Sequence, residues 1–304
     1  MEKKLAIVIP AYKAERLAET LESIAAQDCQ AFNLYVCDDA SPYHLDNIVR
    51  PFSEKISLQY IRFDNNRGAE DLVGQWERSI EQVGDEEWIW LFSDDDIMPQ
   101  DAVTRFYQAL DTLGNPIGFF RFPLCRIDKD SQIEYECTPL PAVQCSAEEM
   151  LLEYLAGNRP SAACEYIFSK RIFTERKMVH FPLAWCADTA TWYDYAQACG
   201  AVYSLNGQPV CWRNAEGSNI SNTKGLQKQK MQALILFVNW LTSHYKGRKN
   251  ARFAKALRNF IKTNLHVSLE GLYEKDELKS LCQAYASFSR LGAWTLYRKY
   301  SKRK

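Results

Sequence analysis

Five bulky apolar residues, Trp88-Ile89-Trp90-Leu91-Phe92, run straight into Ser93 and three consecutive aspartates, Asp94-Asp95-Asp96. An uninterrupted apolar pentad predicts a strand covered on both faces. Three like charges at its carboxyl end are costly to bury unless a cation offsets them. The feature therefore favours folds in which a buried strand opens at its end onto a charged crevice. Taken in isolation, three aspartates also suit a solvated turn or the start of a helix.

The surrounding pattern decides in favour of the crevice. Residues 5–10 and 34–37 are further short, mostly apolar strand candidates, residues 58–63 are a third candidate, and Leu17, Leu21, Ile24 and Ala25 share one helical face. Residues 72–83 read as another helix. Strands alternating with helical periodicity predict βαβ units and a mostly parallel sheet. In such sheets ligands sit outside the carboxyl ends of the strands. Those ends carry Pro10-Ala11-Tyr12, Asp38-Asp39-Ala40-Ser41, Asp64-Asn65-Asn66-Arg67-Gly68 and the aspartate triplet. Strands are also expected over 117–124 and 201–211. Beyond Gly225 the pattern turns helical, over 231–241, 252–269 and 277–300.

At 47% hydrophobic and 25% charged residues, the 304-residue chain is ordinary globular protein. Its net charge of −1 hides a division: residues 225–304 hold 17 Lys/Arg against 4 Asp/Glu, and the rest holds 20 against 34. The boundary expected from this is a catalytic domain over 1–224 and a basic helical extension over 225–304. Ten cysteines include no Cys-x-x-Cys pair, and the four histidines show no ligand spacing. No Gly-x-Gly-x-x-Gly follows the first strand and no P-loop is present. Phosphate would thus be held another way, and Asp94–Asp96 supply carboxylates for a divalent cation that in turn binds a diphosphate.

Together, Ile7-Val8-Ile9-Pro10-Ala11-Tyr12, Cys37-Asp38-Asp39-Ala40-Ser41 and Leu91-Phe92-Ser93-Asp94-Asp95-Asp96 resemble the GT-A-fold, inverting glycosyltransferases of family 2, over about residues 1–222. The resemblance implies a nucleotide-diphosphate sugar as donor, of the UDP type. It implies that Tyr12, with Pro10 and Ala11, lies against the base, and that Asp38 and Asp39 contact uracil and ribose. It further implies that Asp94 and Asp96 bind Mn2+ or Mg2+ as an Asp-x-Asp pair, with Asp95 at the nucleotide. Ser93 stands where the first aspartate of the motif normally does. Arg67 suits a diphosphate oxygen, or equally a surface turn. Trp185-Cys186-Ala187-Asp188 resembles the segment that carries the family's general base, with alanine where glutamate often precedes the aspartate. Asp188 is the expected base, and helix N-cap is an equally good role for it. Trp212-Arg213 and Ser218-Asn219-Ile220-Ser221 resemble the segment that closes over the donor diphosphate.

The expected acceptor is a hydroxyl of a cell-surface polysaccharide or lipid-linked glycan. The tail interleaves cations with aromatics, ending Trp294-Thr295-Leu296-Tyr297-Arg298-Lys299-Tyr300-Ser301-Lys302-Arg303-Lys304. Such a basic amphipathic end suits an anionic membrane surface, and no nucleic-acid partner is expected. The apolar run at 233–238 is far short of the ~20 residues a bilayer span needs. Pro10 and the charged residues 13–16 cut short a stretch that imitates an export signal. The expected location is cytoplasmic, peripheral on the inner face of the membrane. Two other readings compete: a sugar-nucleotide pyrophosphorylase, which would need a Gly-rich loop after strand one, and a non-catalytic nucleotide- or glycan-binding scaffold.

Overall fold

The computed structural model of the chain describes residues 2–114, 118–137, 139–214, 223, 225–245, 247 and 250–302. It separates into two compact units. The first comprises Met1–Ser146, Ser161–Met178 and Tyr195–Ala215, the second Ala147–Pro160, Val179–Asp194 and Glu216–Lys304.

The first unit is a mixed α/β layer structure. Its leading half alternates β1 (Leu5–Ala11), α1 (Leu17–Ala25), β2 (Phe32–Asp38), α2 (Leu45–Val49), β3 (Leu58–Arg62), α3 (Leu72–Ile80), β4 (Trp88–Leu91) and α4 (Ala102–Leu113). Short strands follow: β5 (Phe119–Arg121), β6 (Leu124–Ile127), β7 (Ile133–Glu136) and β8 (Gln144–Cys145). After α5 (Ala147–Leu155), which belongs to the second unit, come β9 (Tyr166–Ser169) and α6 (Lys170–Arg176). Helix α7 (Ala187–Cys199) precedes β10 (Val202–Ser204) and β11 (Val210–Arg213).

Eight strands form the main sheet in the order β3-β2-β1-β4-β9-β5-β10-β8. The four expected βαβ strands are parallel and in register, Leu5 opposite both Phe32 and Trp88, and Ala11 opposite Asp38. Asp38 in turn pairs with Arg62 on β3. This alignment brings the ends of β1, β2 and β3 to one edge. β9 lies antiparallel between β4 and β5, an insertion that no local periodicity foretold. Trp88, Phe106 and Phe120 meet edge to face beneath the sheet at centroid distances of 5.3–5.6 Å, and Trp90 stacks on Phe122 at 4.6 Å. Large rings in these arrangements supply much of the apolar burial that holds such a core.

Two expected strands are each divided between sheets. The stretch expected over 117–124 is described from residue 118 onward and breaks at Pro123, which has no N–H to donate to a ladder. The chain crosses there from β5 in the main sheet to β6 in a three-stranded sheet of order β11-β6-β7. Residues 201–211 likewise split around Gly207, whose φ of 139° is open only to glycine, into β10 and β11.

The second unit is helical: α5, α8 (Gln227–His244), α9 (Ala251–Thr263), α10 (Lys275–Tyr285) and α11 (Arg290–Tyr300). The helix expected over 277–300 is broken at Ser289, whose hydroxyl accepts from Gly292 N and caps a new helix. α9 runs on through one π-helical turn, Asn264–Ser268. The unit boundaries differ from the expected division at residue 224. Residues 147–160 and 179–194 carry apolar faces that join the helices: Tyr154 meets Phe260 at 5.5 Å, Phe181 meets Phe237 at 6.3 Å, and Tyr193 meets Trp240 at 6.1 Å. Among the described residues no helix is long and apolar enough to cross a membrane.

Candidate active site

Where β1, β2 and β4 end, the first unit ties four loops together through carboxylates. Asp94 Oδ2 accepts from the backbone N–H groups of both Tyr12 and Lys13, each at 2.8 Å. The Tyr12 carbonyl accepts from Ser41 Oγ at 2.6 Å, and Asp38 Oδ1 accepts from Ser41 N at 2.7 Å. Ala40, with φ of 51°, makes the left-handed step that lets this turn close. Tyr12 is thereby fixed by its backbone while its ring stays 38% exposed, a surface open to a planar partner. Pro10 and Ala11 end β1 beneath it, and the Ala11 carbonyl accepts from Asp39 N at 2.9 Å.

Asp38 and Asp39 are buried and fully engaged within the protein. Asp38 Oδ2 receives the Tyr60 hydroxyl and the Arg62 guanidinium. Burial and the Asp38 charge push the Tyr60 hydroxyl up to about 12. Asp39 holds the loop after β3: Oδ1 accepts from Arg67 N and from Arg78, and Oδ2 from Gly68 N at 2.8 Å. A Cβ on Gly68 would lie 2.6 Å from Asp39 Oδ2, so this loop needs glycine for the close approach. Arg67 itself turns to Asp71, the N-cap of α3, at 3.2 Å. In this geometry the two aspartates tie the loops after β2 and β3 together.

The acid triplet is similarly divided. Asp95 Oδ2 meets Lys13 Nζ at 2.9 Å, and Lys13 lies 4.0 Å from Asp94. Burial alone would lower the Lys13 pKa, but Asp94, Asp95 and Asp96 together raise it. Lys13 thus supplies part of the positive charge that three carboxylates at a strand end demand, a source that the apolar-run argument did not anticipate. Asp96 Oδ1 accepts from Arg213 N at 2.8 Å, while Oδ2 is buried without a hydrogen bond of normal geometry, the Cys164 thiol and Ser93 hydroxyl lying near the carboxyl. Burial, then the Asp95 charge, pushes its carboxyl up to about 7, partly offset by the Arg213 amide, the Cys164 thiol and the Ser93 hydroxyl. Asp94 is raised by the same two causes.

Arg213, which the resemblance assigns with Trp212 to the segment closing over the donor diphosphate, has its guanidinium engaged within the protein. It is 2% exposed. Nε donates to the Asp95 carbonyl at 2.8 Å, Nη1 to the carbonyls of Asp128 (2.8 Å) and Lys129 (3.2 Å), and Nη2 to Glu19 and Ser131, both at 3.0 Å. It is a spacer locking the acid turn to the small sheet. The expected closing segment at Ser218–Ser221 lies outside the described residues. No nearby motif signals the partnership of Arg213 with Asp95, 118 positions apart.

Among the described residues no three His, Cys, Asp or Glu side chains form a ready-made metal centre. The donor set nevertheless fits a hard divalent cation of the Mg2+ or Mn2+ kind, which typically takes one or two carboxylates and completes its shell with substrate phosphate and water. Asp96 Oδ2, with Asp94 and Asp95 beside it, is what such an ion would satisfy.

Asp188 belongs to the second unit and stands in the first turn of α7, where its Oδ1 accepts from Thr189 N at 2.7 Å. The approach to it is strained: Leu183, Ala184 and Cys186 all have φ between 53° and 63°. Left-handed backbone at non-glycine residues costs roughly 1–2 kcal/mol each. Trp185 is held by Lys230, whose Nζ sits 4.9 Å over its ring. Burial pushes the Cys186 thiol well up.

These features define a mixed α/β fold with a cluster of carboxylates at the strand ends. Residues 6–138 match the family model described as glycosyl transferase family 2. Over residues 6–138 the chain is therefore similar to the glycosyltransferases of family 2, and its fold is of the GT-A type. No curated protein matches the chain in sequence. Among solved structures, residues 1–349 of S. aureus TarS in complex with UDP-GlcNAc align with a TM-score of 0.72 at 14% identity, covering 98% of this chain and 90% of that one. The same fragment with UDP gives 0.69 at 13% identity with the same coverage. The mannosyltransferase PcManGT from Pyrobaculum calidifontis, in complex with GDP-Man and Mn2+, gives 0.52 at 15% identity, covering 99% and 80%. At these identities the likeness is one of fold.

Proposed function

We propose that the protein is an inverting transferase that moves a sugar from a UDP-linked donor to a hydroxyl of a cell-surface polysaccharide or lipid-linked glycan. The observation that carries this reading is the network joining Tyr12, Lys13 and Ser41 to Asp38, Asp94 and Asp95. It leaves an exposed ring beside an acid cluster with one unsatisfied oxygen, a base platform next to a phosphate–metal locus. Tyr12 stacks on the base, with Pro10 and Ala11 beneath. Asp38 and Asp39 shape the uracil and ribose pocket, each oxygen retaining at most limited capacity for a ligand, and Arg67 can swing from its exposed pair with Asp71 toward a diphosphate oxygen. Asp94 and Asp96 would hold a divalent cation, with Asp95 at the nucleotide, and that ion would supply charge neutralisation for the departing nucleoside diphosphate. Asp188 takes the proton from the acceptor hydroxyl as it attacks the anomeric carbon from the face opposite the leaving group. One displacement inverts that centre.

The backbone strain before Asp188 supports its role, since strained residues gather where a side chain must be aimed. Residues 1–224 form the catalytic part on this reading, and the basic 225–304 region finds the membrane. On α11, Leu291 and Trp294 are 72% and 57% exposed, with Arg298 stacked on Trp294 at 5.2 Å. Apolar side chains ringed by cations suit a peripheral seat on anionic lipid at the cytoplasmic face. The scaffold reading predicts donor binding without turnover. The pyrophosphorylase reading lacks its Gly-rich loop, since Ala11–Arg16 holds no glycine.

The test is calorimetric titration with UDP, GDP and dTDP, each with and without Mn2+, followed by a transfer assay. Metal-dependent UDP binding that is lost in Asp96→Asn and kept in Asp188→Asn, with transfer abolished in both, is the expected result. Absence of metal-dependent binding by any of the three nucleotides would overturn the donor-site assignment.

A further inference from the structure

The three-stranded sheet beside the acid turn holds a pair of thiols that donor binding does not use. Parallel register places Cys125 on β6 opposite Cys211 on β11. Their sulfurs are 2.6 Å apart with no disulfide between them. Adjacent strands lie ~4.7–4.9 Å apart, inside the Cα window of about 4.4–6.8 Å that a disulfide spans. The remaining approach, to about 2.05 Å, is a matter of side-chain rotation. Cys125 is buried, while Cys211 is partly exposed. The roles of the two thiols differ accordingly. Cys125 donates its S–H to Cys211, which lowers the Cys211 pKa against the opposing effect of burial, and the same hydrogen bond raises that of Cys125. Cys211 is thus the more accessible of the two thiols and the more readily ionised to the thiolate that reacts.

We propose that Cys125 and Cys211 form a redox-active pair that hydrogen peroxide closes to a cross-strand disulfide, locking β6 to β11. The Cys211 sulfur attacks one peroxide oxygen; an S–O bond forms, the O–O bond breaks, and the departing oxygen leaves as water once protonated. The Cys125 sulfur then attacks Cys211; the S–S bond forms, the S–O bond breaks, and the hydroxyl leaves with the Cys125 proton as a second water. Two thiols are oxidised and one hydrogen peroxide is reduced.

The bond falls at a point that matters to the acid turn. The Cys211 N–H and carbonyl both pair with Ile97 at 3.0 Å, directly after Asp96, and Arg213 lies two residues on. Because little movement is needed, oxidation braces this turn in its present geometry. The cross-link closes a loop between positions 86 residues apart, long enough to restrict the unfolded chain substantially.

The full-length protein is reduced, desalted and treated with one equivalent of hydrogen peroxide, then alkylated and mapped by peptide mass spectrometry. The expected product is a Cys125–Cys211 cross-linked peptide pair, an intact mass lower by two hydrogens, and a thermal midpoint raised by on the order of 5 °C. Dithiothreitol reverses all three. Cys211→Ser, at the partly exposed position, abolishes the cross-link and the shift. The mapping on the wild-type chain needs no variant to fold. Recovery of both residues as alkylated thiols, of Cys211 as sulfinic acid with Cys125 still free, or of a cross-link from either to Cys137 would overturn the proposal.

Discussion

Arg213→Met removes every donor of a side chain that joins the acid turn to the loop after β6, while keeping most of its length and apolar stem. Five side-chain hydrogen bonds disappear. The carbonyls of Asp128 and Lys129 border an exposed turn, so water can replace the guanidinium there at small cost. The Asp95 carbonyl lies in a buried residue and Glu19 loses a charged partner. A neutral hydrogen bond is worth ~1 kcal/mol net and a charged one ~1.5–3 kcal/mol, with a further penalty where an acceptor is stranded. The sum is about 3–5 kcal/mol, most of it from the buried Arg213 side of the network, since Glu19 is partly exposed and can be rehydrated. Arg213→Lys keeps the charge without the planar fork and should recover roughly half of the loss. Urea denaturation followed by fluorescence and circular dichroism gives the stability change, and hydrogen exchange over residues 92–98 and 124–136 gives its location. The reasoning fails if Arg213→Met stays within ~1 kcal/mol of wild type, or if exchange accelerates uniformly rather than around the acid turn.

Asp96, raised to about 7 from an unfolded value near 3.9, is protonated more readily in the native state. Its contribution is fully present below the unfolded value and is lost as pH rises through about 7, so metal-free protein should gain up to roughly 4 kcal/mol between pH 8 and pH 4 from this group. Asp96→Asn should flatten that part of the pH profile of the urea midpoint measured in chelator; an unchanged slope would refute the assignment. Lys13→Met removes the cation paired with Asp95, and Mn2+ affinity measured by paramagnetic resonance without donor should rise about tenfold or more. Equal affinity in the two proteins would show that Lys13 does not compete for the acid cluster. Trp294→Ser should cut partition onto vesicles containing anionic phospholipid roughly tenfold, in line with the loss of one buried aromatic, and added salt should weaken what remains. Binding that ignores both changes would remove α11 from the membrane-facing surface.

Much of the fold was legible before the coordinates. Continuous apolar runs at 5–10, 34–37 and 88–92 became β1, β2 and β4 within one or two residues at most ends, because buried parallel strands write their burial locally, while 58–63, interrupted by Gln59 and Arg62, became the partly exposed edge strand β3. The strand-end rule then brought Tyr12, Asp38, Asp39 and the acid triplet to one edge, and the backbone contacts of Tyr12 with Asp94 and Ser41 hold them there. β9 was not legible. Tyr166–Ser169 is four residues long, and its antiparallel seat between β4 and β5 depends on partners about 45 to 80 positions away. The second unit was legible only in part. Helical periodicity marked α8 and α9, but whether residues 147–160 and 179–194 joined them is a question of which apolar face meets which, and periodicity does not record partners.

What sequence alone determined, then, was which residues lie at the strand ends and what charge they bring. Strand period and strand direction are short-range properties, set by a few neighbouring side chains, and they place chemistry at an edge whatever the rest of the chain does. What only the tertiary structure decided was how each charge is met. Asp39 spends its oxygens on a loop, Asp95 takes Lys13, and Asp96 keeps one oxygen without a hydrogen bond of normal geometry beside a backbone amide from residue 213. Ion pairs and hydrogen bonds form between groups brought together by packing, at separations along the chain that no local pattern encodes. Burial then sets their strength, since the same carboxylate is ordinary in water and strongly perturbed in the low-dielectric interior.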